Sequence, residues 1–246
     1  MLTIDINCDL GEGFGNDEAI MPFISSANIA CGYHAGNEEI IKQTVGLAIK
    51  NKVAIGAHPS FFDKENFGRT EKNLATDEIY DLVILQLRTI DKITKESKIK
   101  LHHVKPHGAL YNMSAKDPQI AKAIAQAVKD FNDDLILFGL SGSHSIKEAK
   151  AIDLKTANEV FADRTYQDDG SLTSRSQANA LLEDVDKSVQ QALQMIKEKT
   201  ATSVNGKKIS IIADTICLHG DGKNAVGFAG KIFQSLKQNN IVLKAI

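Results

Sequence analysis

The segment His-Val-Lys-Pro-His, residues 103–107, sets His103, Lys105 and His107 at alternate positions. All three side chains can carry a proton, and residues two apart in an extended chain project from one face. Such a wall could transfer protons or set positive charge against a developing oxyanion. A lysine beside imidazoles in a pocket is pushed toward its neutral form by desolvation and by like charge. The plainer reading is a buried lysine paired with Asp5, Asp9 or Asp163.

Comparable groups recur along the chain. Asp9 and Glu12 offer a general base or a metal ligand, or simply a capped turn among glycines. His34 stands among Gly32, Ala35 and Gly36, small residues that let a ligand approach closely. His58 precedes Pro59, which confines it to extended backbone. Asp63 and Arg69 follow in a loop that could form a lid. Asp163-Arg164 offers a guanidinium able to grip a carboxylate through two parallel hydrogen bonds, or a rim ion pair of little worth. His219 and Asp221 open the last helix, as an anion seat or as a cap.

The elements that must position these groups follow from the apolar pattern. Short apolar runs occur at 2–8, 27–31, 53–57, 99–104, 135–140, 154–161 and 209–218. Helical spacing covers 38–50, 77–95, 118–131, 143–152, 178–199 and 224–238. Strands alternating with helices imply a parallel sheet covered by helices. No linker divides the 246 residues, so one α/β domain over 1–246 is expected. A barrel of β/α units fits that length, with an open doubly wound sheet as the rival. Residues 241–243 form an eighth strand or an edge.

In both architectures the polar clusters fall at the carboxyl ends of strands, where sites are built. Parity puts Asp5, Asn7 and Asp9 on one face of the first strand. Asn28 and His34 fall together on the second, if it stays extended through Gly32, and Cys217, His219 and Asp221 on the last. Burying such groups unpaired costs about 1–3 kcal/mol each, so a shared pocket or a dense hydrogen-bond network is required.

Several classes are excluded or disfavoured. A net charge of −2 leaves no basic footprint for nucleic acid. No run reaches the roughly 20 apolar residues of a membrane helix. The N-terminus shows no signal-peptide pattern, and three dispersed cysteines read as reduced thiols, so a cytoplasmic location is expected. Neither a P-loop nor a dinucleotide fingerprint is present. The donor types for Zn²⁺ exist, but Lys105 interrupts the His103/His107 spacing and no other close pair sits with a carboxylate. No metal ligand is assigned, and a divalent metal is left open.

Seven strings, in order, carry a resemblance that spans nearly the whole chain. They are Asp-Ile-Asn-Cys-Asp-Leu-Gly-Glu at 5–12, Asn-Ile-Ala-Cys-Gly-Tyr-His-Ala-Gly at 28–36, Gly-Ala-His-Pro at 56–59, Phe-Gly-Arg at 67–69, His-Val-Lys-Pro-His-Gly-Ala-Leu-Tyr-Asn at 103–112, Ala-Asp-Arg-x-Tyr at 162–166 and Cys-Leu-His-Gly-Asp at 217–221. Together they resemble the LamB/YcsF family. Departures occur at Asn37-Glu38, where the family usually has Asp-Pro, and over 173–179, where prolines are usual.

The resemblance implies a (β/α) barrel, often seven-stranded, similar to glycoside hydrolase and polysaccharide deacetylase barrels. It implies an A subunit that opens 5-oxoproline to L-glutamate with ATP hydrolysis, working with subunits B and C. ATP would then be a co-substrate bound wholly or partly by the partners. In that reading Lys105 and His219 stabilise charge on oxygen, and Asp9 or His107 positions water. His34 or His58 protonates the leaving nitrogen, and Arg164 holds the substrate carboxylate. Asp163 joins the catalytic set; Glu12, Asn28 and Asp221 join the substrate contacts. Two alternatives stand beside it: a metal-dependent deacetylase or amidase using Asp9, His34 and His58, and a binding subunit without chemistry of its own.

Overall fold

The computed structural model describes residues 1–220 and 224–246. The barrel strands are β1 (Leu2–Leu10), β2 (Ser26–Ala30), β3 (Ala54–His58), β4 (His103–Val104), β5 (Ile136–Leu140) and β6 (Lys155–Phe161). After the hairpin strands β7 (Thr200–Thr202) and β8 (Lys208–Ser210) comes the last barrel strand, β9 (Thr215–His219), and β10 (Ile241–Leu243) follows. Among the described residues, seven parallel strands close a ring, because β9 hydrogen-bonds both β6 and β1. The doubly wound alternative is thereby excluded. Among the described residues β10 pairs only with β1, so 241–243 is an edge outside the ring.

The helices wrap the outside: α1 (Asp17–Ile20), α2 (Glu38–Asn51), α3 (Thr76–Glu96), α4 (Gly108–Lys116), α5 (Pro118–Phe131), α6 (His144–Ala151), α7 (Val185–Glu198) and α8 (Ala225–Gln238). Local chemistry explains their starts. Asn37 accepts from Ile40 N at 2.9 Å, so Asn serves as the α2 cap where Asp is usual. Asp117 accepts from Gln119 N at 2.7 Å, and Pro118 takes the first helical position of α5. At the start of α3 Thr76 is already helical, and Glu78 reaches back to accept from Ala75 N at 2.7 Å.

Strand parity divides the molecule into two layers. Ile4, Ile6, Cys8 and Leu10 of β1 are buried in the main apolar cluster with the helices. Their neighbours Asp5, Asn7 and Asp9 are equally buried but enter a polar network. Asp5 accepts from the hydroxyls of Ser25, Ser26 and Thr215 at 2.5, 2.8 and 2.6 Å. Asn7 donates to Thr215 at 2.7 Å. The apolar layer supplies the stability: fully burying one Ile or Leu side chain is worth about 1.5–3 kcal/mol.

Three expected elements differ. The run 99–104 yields only the two-residue strand His103–Val104, because Ile99 N still bonds back to Thr94 O at the end of α3 and pairing with β3 begins only where His102 N meets Ile55 O. The run 209–218 is two strands. Asp214 interrupts it by taking Asn158 N and Nδ2 at 2.8 and 2.7 Å. The helix expected from 178 starts at Val185, since Ala180 O and Leu182 N hydrogen-bond back to the loop after β6 and Asp184 supplies the cap. Helix α4, nine residues directly after His107, is not foreshadowed by the apolar spacing.

Candidate active site at the barrel mouth

The carboxyl ends of the strands open into a cleft of about 720 Å³, lined by Asp9, His58, Lys105, His107, Tyr111 and Arg175 among others. Lys105 points from the end of β4 into the ring. Its ammonium donates to Asp9 Oδ1 at 2.8 Å, Asn7 Oδ1 at 3.1 Å and Cys217 Sγ at 3.0 Å. Glu159 Oε1 lies 2.9 Å away as an ion-pair partner. Burial pulls the lysine down, but Asp9, Cys217 and Glu159 outweigh it and hold Lys105 well above its ordinary value. The expected push toward a neutral lysine is therefore corrected. The adjacent imidazoles matter less than carboxylates delivered by other strands. Burial likewise raises Asp9, and His58 and Lys105 reverse this, so the carboxyl is held well below its usual range.

Asn28 and His103 support this wall from beneath. Asn28 donates to Asn7 Oδ1 at 2.7 Å and Asp9 Oδ1 at 2.8 Å, and its own oxygen accepts from His103 Nε2 at 2.8 Å. His103 passes under Gly56 of β3, where a Cβ would run into the imidazole. Asn28 does not line the cleft; it orients Asp9 rather than substrate.

Hydrogen-bond accounting assigns the protons of the other imidazoles. His58 Nδ1 lies 2.6 Å from Lys105 O, and His107 Nε2 lies 2.9 Å from Phe67 O. A carbonyl only accepts, so both nitrogens carry hydrogen. The remaining nitrogens, His58 Nε2 and His107 Nδ1, meet at 2.9 Å and need one proton between them. Burial and the charge on His58 lower His107 to about 3, so His107 accepts and His58 carries the proton. That positive ring faces Asp9 Oδ2 at 3.4 Å. His34 lies behind, donating through Nε2 to Glu12 at 3.1 Å and taking the Ser60 hydroxyl on Nδ1 at 2.8 Å. Burial, with His107 and His58, drives His34 far below its ordinary value, so it stays neutral. Gly32 and Gly36 both have positive φ, so His34 arrives by a turn rather than along an extended strand.

The opposite wall is a second chain of contacts. His219 Nδ1 lies 2.7 Å from Asp163 Oδ2, and Arg175 donates to His219 Nε2 at 3.1 Å. Since Arg only donates, Nε2 accepts, Nδ1 holds the hydrogen and Asp163 receives it. Arg164 spends two donors on the loop carbonyls of Thr173 at 2.6 Å and Ala180 at 3.3 Å. Its main visible role is to fix that loop. Arg175, which is not among the site residues assigned from the sequence, lines the cleft as well. Asp221 lies outside the described residues.

Two groups of donors bear on a metal ion. Asp9, Cys217 and His219 converge, but the Lys105 ammonium stands between Asp9 and Cys217. Glu12, His34, His58 and His107 place one donor atom each within 4.8 Å of the others. An imidazole offers its lone pair in the plane of its ring. The His34 and His107 rings stack with centroids 3.8 Å apart, 5° from parallel, so one ion could not lie in both planes. As placed, these two do not fit a common metal.

The pattern of strand-end residues invites comparison with known proteins. The LamB/YcsF family model matches residues 4–246. The chain belongs to the LamB/YcsF family. It is 50% identical over 251 residues to a Bacillus cereus (strain 03BB102) protein named as the A subunit of 5-oxoprolinase, covering 100% of this chain and 99% of that one. A Bacillus anthracis (strain CDC 684 / NRRL 3495) protein of the same name is 49% identical over the same coverage. The crystal structure of a lactam utilization protein from Thermus thermophilus superposes with a TM-score of 0.94 at 37% identity, covering 100% of both chains. A family 4 carbohydrate esterase from Streptomyces lividans shares the barrel fold, with a TM-score of 0.52 at 11% identity over 99% of this chain and 92% of that one.

Within this family member the mouth gathers Asp9, Glu12, His58, Lys105, His107, Arg164 and His219 around one cleft, with Asp163 and His34 bonded directly behind them. Glu159 was missed. Its signal lay in parity, since Glu159, Phe161 and Asp163 alternate along and just beyond β6, and a carboxylate inside an apolar run requires a partner.

Proposed function

We propose that this chain is the A subunit of an ATP-dependent 5-oxoprolinase of the cytoplasm and carries the ring-opening site. The observation that supports this best is the Lys105 ammonium, held charged at the mouth beside Asp9 and the protonated His58–His107 pair. The names of the close relatives supply the substrate. A lactam is a resonance-stabilised amide, so its carbonyl needs activation before water can attack. The chain has no recognisable nucleotide motif, so ATP and the activation of the lactam oxygen fall to partner subunits B and C.

Ring opening adds water across the C–N bond, oxygen to carbon and a proton to nitrogen. Lys105 stabilises negative charge on the lactam oxygen, and Asp9 accepts the proton of the attacking water. His58, whose Nε2 lies beside Asp9 at the cleft, returns a proton to the leaving nitrogen, with His107 holding the ring in place. His219, fixed as a neutral ring by Asp163 and Arg175, faces the substrate from the other wall, where Arg175 meets its carboxylate.

The test is glutamate release from 5-oxoproline and ATP with this chain alone and with both partner subunits. Release is expected only from the complete set. No ATP-dependent release with all three present overturns the reading.

A further inference from the structure

We infer that Glu159 is a positioning residue: it keeps the Lys105 ammonium in charge while Asp9 takes up a proton, without touching substrate. The inference rests on the ring-opening reading above for its consequence, though not for its physical basis. Glu159 sits on β6 with no exposed surface and is absent from the cleft lining. Its Oε1 is 2.9 Å from Lys105 Nζ, on a different strand from Asp9, whose Oδ1 is 2.8 Å from the same nitrogen. One buried ammonium therefore has two carboxylates.

That arrangement is excessive for a structural ion pair, where one carboxylate neutralises one lysine. It becomes useful when Asp9 acts as a base. A protonated Asp9 no longer balances Lys105, and a buried unpaired ammonium gives up its proton. The cation would then be lost just as the lactam oxygen needs it. With Glu159 in place the pairing survives the transfer.

The other groups around this pair are accounted for. Cys217 from β9, Asp9 from β1 and His103 from β4 act on the lysine. Tyr111 from α4, Tyr166 from the loop after β6, and Cys217 act with Glu159. Burial and Glu159 push the Tyr111 hydroxyl well up, and burial pushes the Cys217 thiol well up. Burial lowers His103 well below its ordinary value, so it stays neutral. Asp9 and Glu159 are thus the two carboxylates facing this ammonium among the described residues, with the His58 ring beyond Asp9.

The experiment compares the wild-type chain with Glu159→Gln, which keeps the shape and removes the charge, and with Glu159→Asp, which keeps the charge. In the isolated chain, ¹⁵N-lysine NMR follows Lys105 Nζ as pH rises. In the complete complex, kcat and KM are followed over the same range. Glu159→Gln is expected to move the Lys105 transition and the alkaline limb of kcat down by at least about one pH unit, tenfold in proton affinity. KM should stay unchanged, and Glu159→Asp should restore both transitions. An unmoved Lys105 transition in folded Glu159→Gln overturns the inference, as does equal loss of kcat at every pH. Should Glu159→Gln fail to fold, an alkaline limb in Glu159→Asp identical to wild type supports the inference, and one shifted down despite the retained charge refutes it. A moved NMR transition in a chain whose complex releases no glutamate would fault the assigned reaction and leave the electrostatic role standing.

Discussion

Replacing Lys105 with Met removes the ammonium and leaves two carboxylates in its place. Asp9 and Glu159 lie 2.8 and 2.9 Å from the lost nitrogen, and both are buried. Breaking a buried pair by deleting one partner costs about 3–5 kcal/mol. For a domain of this size each kcal/mol lowers Tm by about 2–4 °C, so a drop of roughly 6–20 °C is expected at pH 7. The pH dependence discriminates further. Lys105 is raised in the fold, so its stabilisation is fully present at neutral pH and is lost only on the alkaline side. Asp9 is lowered, so its share is present at neutral pH and is lost as acid protonates it. In the Met variant the stranded carboxylates take up protons more readily, and acid relieves their repulsion. The Tm gap should therefore be widest near neutrality and narrow toward about pH 4, near the ordinary carboxylate value. Thermal unfolding by circular dichroism at several pH values reads this. A gap under about 2 °C at pH 7, less than a single kcal/mol would produce, or one that widens in acid, refutes the electrostatic account.

Other outcomes follow from the same geometry. His107 is lowered to about 3 and His34 is also lowered, so between their ordinary range and that value the unfolded chain binds protons the native state refuses. Stability must fall as pH drops through this window, and His107→Asn should flatten that slope in denaturant titrations; an unchanged slope counts against buried neutral rings. Gly56→Ala drives a methyl into the His103 ring, so loss of about 1–3 kcal/mol is expected, with the His103–Asn28 bond broken in a crystal structure. Asp163→Asn removes the charged acceptor of His219 Nδ1–H, which should lower kcat of the complex at least about tenfold with the fold intact; an unchanged kcat would remove this wall from the mechanism.

The sequence made the barrel and its polar interior legible because both rest on local periodicity. Asp5, Asn7 and Asp9 alternate with Ile4, Ile6 and Cys8, and the structure sends the two sets to opposite faces. The charge on Lys105 was not legible in the same way. Its neighbours in sequence are histidines, while its partners in space come from β1, β6 and β9, and only the closed ring sets that balance. Arg164 lines the cleft as its type suggests, but two of its donors also hold the loop carbonyls of Thr173 and Ala180, contacts that no spacing rule announces.

The polar lining also bears on how the chain comes together. Asn7 and Thr215 are 208 residues apart, and Asp5 and Thr215 are 210 apart. Until β9 docks between β6 and β1, the carboxylate of Asp5 and the amide of Asn7 lack partners that the first half of the chain cannot supply. Such long-range closure is entropically late and slow. A nascent chain emerging from the ribosome can build the helical layers progressively, but its β1 face stays a hydrated surface until nearly the whole protein has been made. The Cys217 contact of Lys105 and the His219 wall of the cleft arrive only with that ring closure.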